Sequence, residues 1–399
     1  MDTYLKTLDR IYNLRGGVID LRLDRIDQAL ALFDHPEKKF PSFHIAGTNG
    51  KGSTAAMLHR ILSLAGYRTA LYTSPHLVSF TERIRIADEQ ISEEEVVVLA
   101  DEIWERTAEA NIALTFFEVV TVMAFIYFAR RQIDVAVVEV GLGGRLDATN
   151  LVRPVVSIIT TISKDHESFL GADLASIARE KGGIIKEGVP VICGNLPPSA
   201  SDAIKNIAKR ANAPFYILER NFISSLNSDG TFDYKGPNWH YKNLPVALNG
   251  RHQRRNAAIA VAALENVAPL FPVRETVIRS GLDTVTWPGR LEVVLTEPNV
   301  VLDGAHNGEG IRALVEEIRG MRSRGRIRVL FAVMEDKDWR VMLRGLAQVV
   351  DEIVLTRVSM ERSADPNQLA HELIGKLRRQ VIPDAREALR CLLDTSRID

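Results

Sequence analysis

The sequence predicts an α/β protein: a mostly parallel sheet domain containing a phosphate-binding loop, followed by a smaller C-terminal α/β domain. Three observations lead there. Short apolar strands alternate with helices along the chain, a glycine-rich loop stands between the first such strand and the next helix, and Thr286-Trp287-Pro288-Gly289-Arg290 interrupts the alternation before it restarts. Strands that are apolar throughout, rather than at every second residue, are those covered by helices on both faces of a parallel sheet.

Residues 42–46 read as the first strand, residues 53–65 as a helix ended by Gly66, and residues 69–72 as the next strand. Further strands are expected at 135–140, 155–160 and 189–193, separated by helices such as 93–108 and 174–181. The most apolar run, 119–129, is about half the ~20 residues needed to cross a bilayer, so it reads as a buried helix. Turn-rich sequence over 221–243, with Asp229-Gly230 and Gly236-Pro237, suggests an antiparallel excursion, and a helix follows at 253–268. Past the break, strands at 291–295, 300–302, 327–332 and 352–355 and helices at 367–377 and 385–393 form the second domain. The domains are expected to be 1–286 and 287–399.

A chain of 399 residues exceeds one ordinary core, which agrees with this division. Lys plus Arg number 50 against 51 for Asp plus Glu, so no net field draws the protein to nucleic acid or to an anionic membrane. Small-molecule partners and a monomer are expected. Cys193 and Cys391 have neither metal nor redox spacing, which suits a reducing compartment. Met1-Asp2-Thr3-Tyr4-Leu5-Lys6 has no cationic stretch leading into an apolar run, so no signal peptide is read and the expected location is the cytoplasm.

The loop Gly47-Thr48-Asn49-Gly50-Lys51-Gly52-Ser53, with Thr54, carries the first chemistry. A glycine-rich turn opening a helix exposes backbone N–H groups beside the positive end of the helix dipole, a site that attracts phosphate, and Lys51 would reach the β- and γ-phosphates of ATP. The match to the general phosphate-loop pattern is incomplete, because Ile45 stands where that pattern has its first glycine and Gly52 where it has Ser or Thr. The plainer alternative is a glycine-rich surface turn, which the preceding strand and following helix disfavour.

The full string Ala46 to Ala55, AGTNGKGSTA, is followed after the next strand by Thr73-Ser74-Pro75-His76-Leu77, then by the segment from Glu139 to Asn150, EVGLGGRLDATN, and by Asp165-His166 and Arg179-Glu180-Lys181. Gly250-Arg251-His252-Gln253 with Asn256, Pro288-Gly289-Arg290 and Asp303-Gly304-Ala305-His306-Asn307 complete the series. In this order and spacing the motifs resemble the folylpolyglutamate synthase and dihydrofolate synthase family of the Mur ligase superfamily, over the chain up to about Arg362. The resemblance implies a central domain of the Mur ligase type and a reaction in which the γ-phosphoryl of ATP passes to a pterate or folate carboxylate. The resulting acyl phosphate is then attacked by the amino group of L-glutamate. Expected substrates are dihydropteroate or a reduced folate, L-glutamate and ATP.

Phosphoryl transfer is mainly positioning and charge neutralisation, so magnesium, cationic side chains and oriented amides are needed. Glu139, at the end of a buried strand, is a carboxylate that is costly to bury unless paired or bound to metal. The resemblance adds Ser74, His166 and a carbamylated Lys181 as metal ligands around a pair of magnesium ions. It places Asn256, Arg290 and Asp303 with the loop on the nucleotide, and Lys51, Lys181, His166, His306 and Arg290 in catalysis. It assigns Thr115-Phe116-Phe117-Glu118 and Leu146-Asp147-Ala148 to the pterin-bearing substrate. Residue-level alternatives stay open: His166 as a loop histidine, Lys181 salt-bridged to Glu180 or Glu187, Asn256 bonding nearby backbone, and the two phenylalanines as core.

The family normally continues past the last predicted helix with another strand, carrying a Gly-Ser turn, and a final helix. The C-terminal domain is therefore expected to be cut short, which bears on glutamate binding. Other readings are a peptidoglycan-type Mur enzyme, disfavoured because the phosphate loop starts only 46 residues in, an inactive nucleotide-binding relative, and an unrelated phosphate-loop kinase, which lacks its second carboxylate motif here.

Overall fold

A computed structural model describes residues 3–14, 22–165, 170–321, 325–373 and 377–396. The chain divides into two compact units, Met1–Ala247 with Gln253–Trp287, and Leu248–His252 with Pro288–Asp399.

The first unit opens with helices α1 (Thr3–Asn13) and α2 (Asp24–Ala31). Strand β1 (Ser42–Ala46) then runs through the glycine-rich loop into α3 (Lys51–Leu64), and β2 (Thr69–Tyr72) follows. Next come β3 (Ile84–Ile86), β4 (Glu89–Gln90), α4 (Glu93–Glu109), α5 (Phe116–Arg130) and β5 (Val135–Glu139). Strand β6 (Pro154–Ile159), α6 (Leu174–Gly182), β7 (Val191–Cys193), α7 (Pro198–Arg210) and β8 (Phe215–Ile217) complete an eight-stranded sheet in the order β4-β3-β2-β5-β1-β6-β7-β8. It is parallel from β2 to β8, with β3 and β4 antiparallel at one edge.

Both faces of the sheet are covered, which is why β1 and β5 are buried along their whole length. Ala70 and Tyr72 of β2 and Ala136 and Val138 of β5 enter one apolar cluster with residues of α1, α2, α4 and α5. Ile159 of β6 and Val191 and Cys193 of β7 enter another with Ile177 of α6 and Ile204 of α7. Among the described residues no helix is long and apolar enough to cross a membrane. The apolar run that reads as a buried helix is α5, buried continuously from Glu118 to Phe128.

Strand β1 lies between β5 and β6, while the chain leaves it for β2 on the far side of β5. This is a topological switch point, and in such sheets ligands bind at the carboxyl ends of the strands beside it. The loops leaving β1, β2, β5 and β6 at that edge carry Gly47, Ser74, Val140 and Thr160.

The turn-rich segment forms an antiparallel sheet, β9 (Ile223–Leu226), β10 (Phe232–Lys235) and β11 (His240–Leu244), in the order β11-β10-β9. Helix α8 (Arg251–Val267) anchors it: the Glu265 carboxylate accepts from Tyr234 Oη at 2.5 Å and from the Trp239 amide at 2.7 Å. Helix α9 (Glu275–Thr284) then packs on α3, so closely that a Cβ at Gly281 would lie 2.5 Å from Ile61 Cγ1.

In the second unit β12 (Glu292–Thr296) and β13 (Asn299–Leu302) form an antiparallel pair, followed by α10 (Gly308–Met321), β14 (Arg328–Phe331), α11 (Trp339–Leu346) and β15 (Glu352–Arg357). Helix α12 (Pro366–Glu372), β16 (Arg378–Asp384) and α13 (Ala385–Ser396) come last, with β14, β15 and β16 a parallel sheet. The sequence reading carries a helix to 377 and has no strand beyond it; the helix ends at Glu372, and a strand and a helix follow. The charged Arg378-Arg379 and Pro383 hide β16 from pattern reading, whereas pairing with the buried β15 fixes it.

Two buried imidazoles make the first unit acid-sensitive. Burial lowers the pKa of His44 in β1 to about 3 and that of His59 in α3 to about 4, against 6.5 for each unfolded. Their folded pKa values are depressed, so their contribution is complete above about pH 6.5 and is lost as the pH falls toward 4. At a pH two units below the unfolded value each accounts for up to about 2.7 kcal/mol. The melting temperature is expected to drop between pH 7 and pH 5, with a shallower slope in His44→Gln.

Candidate active site

The phosphate loop is shaped by two close approaches. Gly47 has φ 152° and Gly50 φ 86°. A Cβ at Gly47 would lie 1.9 Å from Thr160 Oγ1, and one at Gly50 would lie 2.5 Å from Asn256 Oδ1. Only glycine satisfies both constraints at Gly50, so Gly50→Ala is expected to weaken ADP binding about tenfold or more, read by equilibrium titration. Asn256 is held from behind, its Nδ2 donating to Oε1 of the fully buried Gln253 at 2.9 Å.

A segment leaving β6 straps the loop. The Thr48 amide donates to Thr161 O at 2.8 Å and the Asn49 amide to Thr161 Oγ1 at 3.0 Å. Thr160 Oγ1 donates to Asn49 O at 2.6 Å, while Thr48 Oγ1 donates to Ser163 O at 3.2 Å and accepts from the Ser163 amide at 3.0 Å. Sequence reasoning did not single out Thr160, Thr161 and Ser163, because only the β1–β6 adjacency brings them to the loop. With the Thr48 and Asn49 amides bonded to the strap, the amides at the start of α3 are those left to face an anion.

Lys51 Nζ donates to the carbonyls of Gly47 at 3.1 Å and Thr48 at 3.3 Å. Lys181, in the last turn of α6 and 5% exposed, donates its Nζ to the same Gly47 carbonyl at 2.9 Å. Two amines thus converge on one oxygen. Burial, with the Lys51 charge second, lowers the Lys181 pKa to about 7. Glu180 pairs with Arg145, at 3.0 Å. Glu139, 4% exposed at the end of β5, accepts from the Ser74 amide at 3.1 Å. The phosphate loop, Ser74, Glu139 and Lys181 therefore share the sheet's carboxyl edge. His166 lies outside the described residues.

The residues present fit a magnesium ion. A buried carboxylate beside a serine supplies hard oxygen ligands, and magnesium needs only one or two such groups plus waters and substrate phosphates. Among the described residues no cluster of three His, Cys, Asp or Glu forms a complete protein cage. A lysine amine offers no oxygen, so Lys181 fits only as a carbamate.

The two substrate motifs are joined. Thr115 caps α5, its amide and hydroxyl donating to Glu118 Oε2, each at 2.7 Å. Arg25 clamps the same carboxylate through Nε and Nη2, both at 2.9 Å, a residue that sequence reasoning missed. Glu118 thereby shapes the helix start. Phe116 stacks on Tyr12 with centroids 5.9 Å apart, and a Cβ at Gly141 would lie 2.4 Å from Phe117 Cζ. Asp147 accepts from the Leu142 amide at 2.8 Å and from Thr149 Oγ1 at 2.5 Å. Because Thr149 spends its proton on Asp147, it accepts from His44 Nε2 at 2.9 Å, which fixes the neutral tautomer. Leu146 and Ala148 flank Asp147 in this bonded loop.

In the second unit, Arg290, Asp303 and His306 gather around one turn. The Gly304 amide donates to Gly289 O at 2.9 Å, and Arg290 Nη1 donates to the same oxygen at 2.9 Å. Asp303 accepts from the amides of Leu291 at 3.0 Å and Ala305 at 2.9 Å, and exposed His306 donates Nδ1–H to Gly304 O at 2.9 Å.

Comparison with known proteins places both sets of residues. The family described as Mur ligase middle domain matches residues 45–264, and that described as Mur ligase, glutamate ligase domain matches residues 289–397. A dihydrofolate synthase/folylpolyglutamate synthase of Bacillus subtilis is 38% identical over 353 residues, covering 86% of this chain and 82% of the relative. The chain belongs to the dihydrofolate synthase/folylpolyglutamate synthase family of Mur ligases. Escherichia coli FolC in complex with DHPP and ADP superposes on this ligase with TM-score 0.90 at 34% identity, over 98% of this chain and 91% of that one. The bifunctional Yersinia pestis enzyme with AMPPNP and a manganese ion does so with TM-score 0.88 at 33% identity, over 99% and 92%. As a member of this family the chain is an ATP-dependent ligase. Lys51, Ser74, Glu139, Lys181 and Asn256 fall in the matched middle domain of the ligase, and Arg290, Asp303 and His306 in its glutamate ligase domain.

Proposed function

We propose that the ligase joins L-glutamate to the carboxylate of dihydropteroate, of a folyl-glutamate, or of both, as a cytoplasmic monomer using ATP and magnesium. The observation that carries this is the convergence of Lys51 and Lys181 on the Gly47 carbonyl beside the phosphate loop. A nucleotide cradle needs one such lysine; a second, buried and half-neutral, belongs to a site that also handles a metal.

The steps assigned to this chain's residues follow from their chemistry. Lys51 and the first-turn amides of α3 hold the polyphosphate, and Asn256, Arg290 and Asp303 hold the rest of the nucleotide. The loop with Leu146, Asp147 and Ala148, and the start of α5 with Thr115 to Glu118, orient the pterin so that its carboxylate meets the γ-phosphoryl group. Ser74, Glu139, His166 and carbamylated Lys181 would hold magnesium, which neutralises phosphate charge when bound. The carboxylate oxygen attacks the γ-phosphorus of ATP and ADP leaves, giving an acyl phosphate. The glutamate amine then attacks the acyl carbon, phosphate leaves, and an amide remains. His306 serves the transferred group or the glutamate.

Phosphate release from ATP and magnesium with L-glutamate and either dihydropteroate or tetrahydrofolate tests the reading. Release that requires a pterin, with a product heavier by one glutamyl residue, is expected. Release that is indifferent to pterin and glutamate would mark a plain ATPase. Activity with one pterin alone sets the specificity.

A further inference from the structure

The departure of the loop from the common pattern has a physical cause. Where most phosphate loops place Ser or Thr after the lysine, so that its hydroxyl reaches magnesium, this chain has Gly52. A Cβ at Gly52 would lie 2.9 Å from Trp287 Nε1 and 3.1 Å from both Cε2 and Cζ2. The space that a serine side chain would enter is filled by the edge of an indole. That indole is delivered by α9, which packs on α3 through Gly281 and Ile61, with Arg60 Nε donating to Thr284 Oγ1 at 3.1 Å. Arg85 stands over the same ring, 5.9 Å from its centroid, and the ring is half-buried. The indole edge is rigid, and such contacts do not relax as the end of a flexible side chain would.

The geometry points to Trp287 as a positioning residue of the nucleotide site: its indole packs on the first turn of α3, makes glycine obligatory at position 52 and holds the amides that face the phosphates. This rests on reading the loop as the ATP cradle. One consequence is that the loop offers a metal no hydroxyl at position 52.

The test is a double-substitution cycle in ADP binding by the full chain without metal, measured by calorimetry. Gly52→Ser is expected to weaken ADP binding about tenfold or more, and Trp287→Ala about threefold to tenfold. In the double variant the cost of the serine should shrink to about threefold or less, because its clash is gone. Trp287→Leu, which keeps bulk in the space, should preserve most of the serine's cost and serves if the alanine variant fails to fold. In the ligase assay Trp287→Ala should raise KM for ATP more than it lowers kcat. An equal serine penalty with and without the indole, or a Trp287→Ala variant that loses melting temperature while keeping its ADP affinity, would overturn the inference. Wild-type protein that does not bind ADP would instead overturn the reading of the loop.

Discussion

Lys181→Ala is expected to lower kcat by about 10²- to 10³-fold, the scale set by removing one preorganised charge-stabilising group. The reason begins with burial. An amine in the last turn of α6, 5% exposed and facing the Lys51 charge, has its pKa lowered to about 7, so near neutral pH about half of it carries a lone pair. A neutral amine adds to carbon dioxide and releases a proton, leaving a carbamate whose oxygens suit magnesium where the ammonium would repel it. Protonation and carbamylation then compete for the same nitrogen. Activity should fall as the pH drops through about 7, and added bicarbonate should move that fall to lower pH. Removing dissolved carbon dioxide should depress kcat reversibly, and native mass spectrometry at neutral pH should find one carbon dioxide bound in wild type and none in the alanine variant. A pH profile indifferent to bicarbonate would leave Lys181 as a plain amine.

The same burial has a cost that runs the other way. The unfolded lysine, with a pKa of 10.5, binds a proton that the folded one partly releases, so between about pH 7 and pH 10.5 stability rises with pH and near neutrality it is reduced. At pH 7 the reduction is on the order of 4 kcal/mol. Lys181→Met should therefore melt above wild type while losing activity, the signature of a group kept for chemistry against the interest of the fold.

Most of the fold was legible because apolar strands covered on both faces leave an unmistakable pattern, as in Val135–Glu139. The strand Arg378–Asp384 was not, since its register against β15 comes from backbone pairing and its side chains are mostly charged or polar. The candidate site divides in the same way. Gly47, Gly50 and Lys51 announce a phosphate loop by composition. The strap from Thr160 to Ser163, the clamp of Arg25 on Glu118 and the indole on Gly52 depend on which strands and helices are neighbours, and local sequence carries no trace of that. Lys181 lies between these cases: the string Arg-Glu-Lys marked its place, but its choice of the Gly47 carbonyl over Glu180 needed α6 docked on the sheet.

Glu139→Gln should lower kcat by about 10²-fold or more and raise the magnesium concentration needed for half-maximal rate. Glutamine has the same shape and still offers a carbonyl oxygen to the Ser74 amide, the contact made at 3.1 Å by Glu139 Oε2. If the carboxylate served only that hydrogen bond, the substitution would be almost silent in activity and stability alike. If instead its charge holds a cation, the amide fails at that task while the fold survives, because a buried carboxylate without its ion is more costly than a neutral amide. Manganese, which binds nitrogen and oxygen donors more tightly than magnesium, should restore part of the rate. Manganese bound in the presence of ADP, counted by electron paramagnetic resonance, separates the two roles directly. Wild type should bind the ion and the glutamine variant should bind it at least about tenfold more weakly, the lower bound for losing a charged ligand.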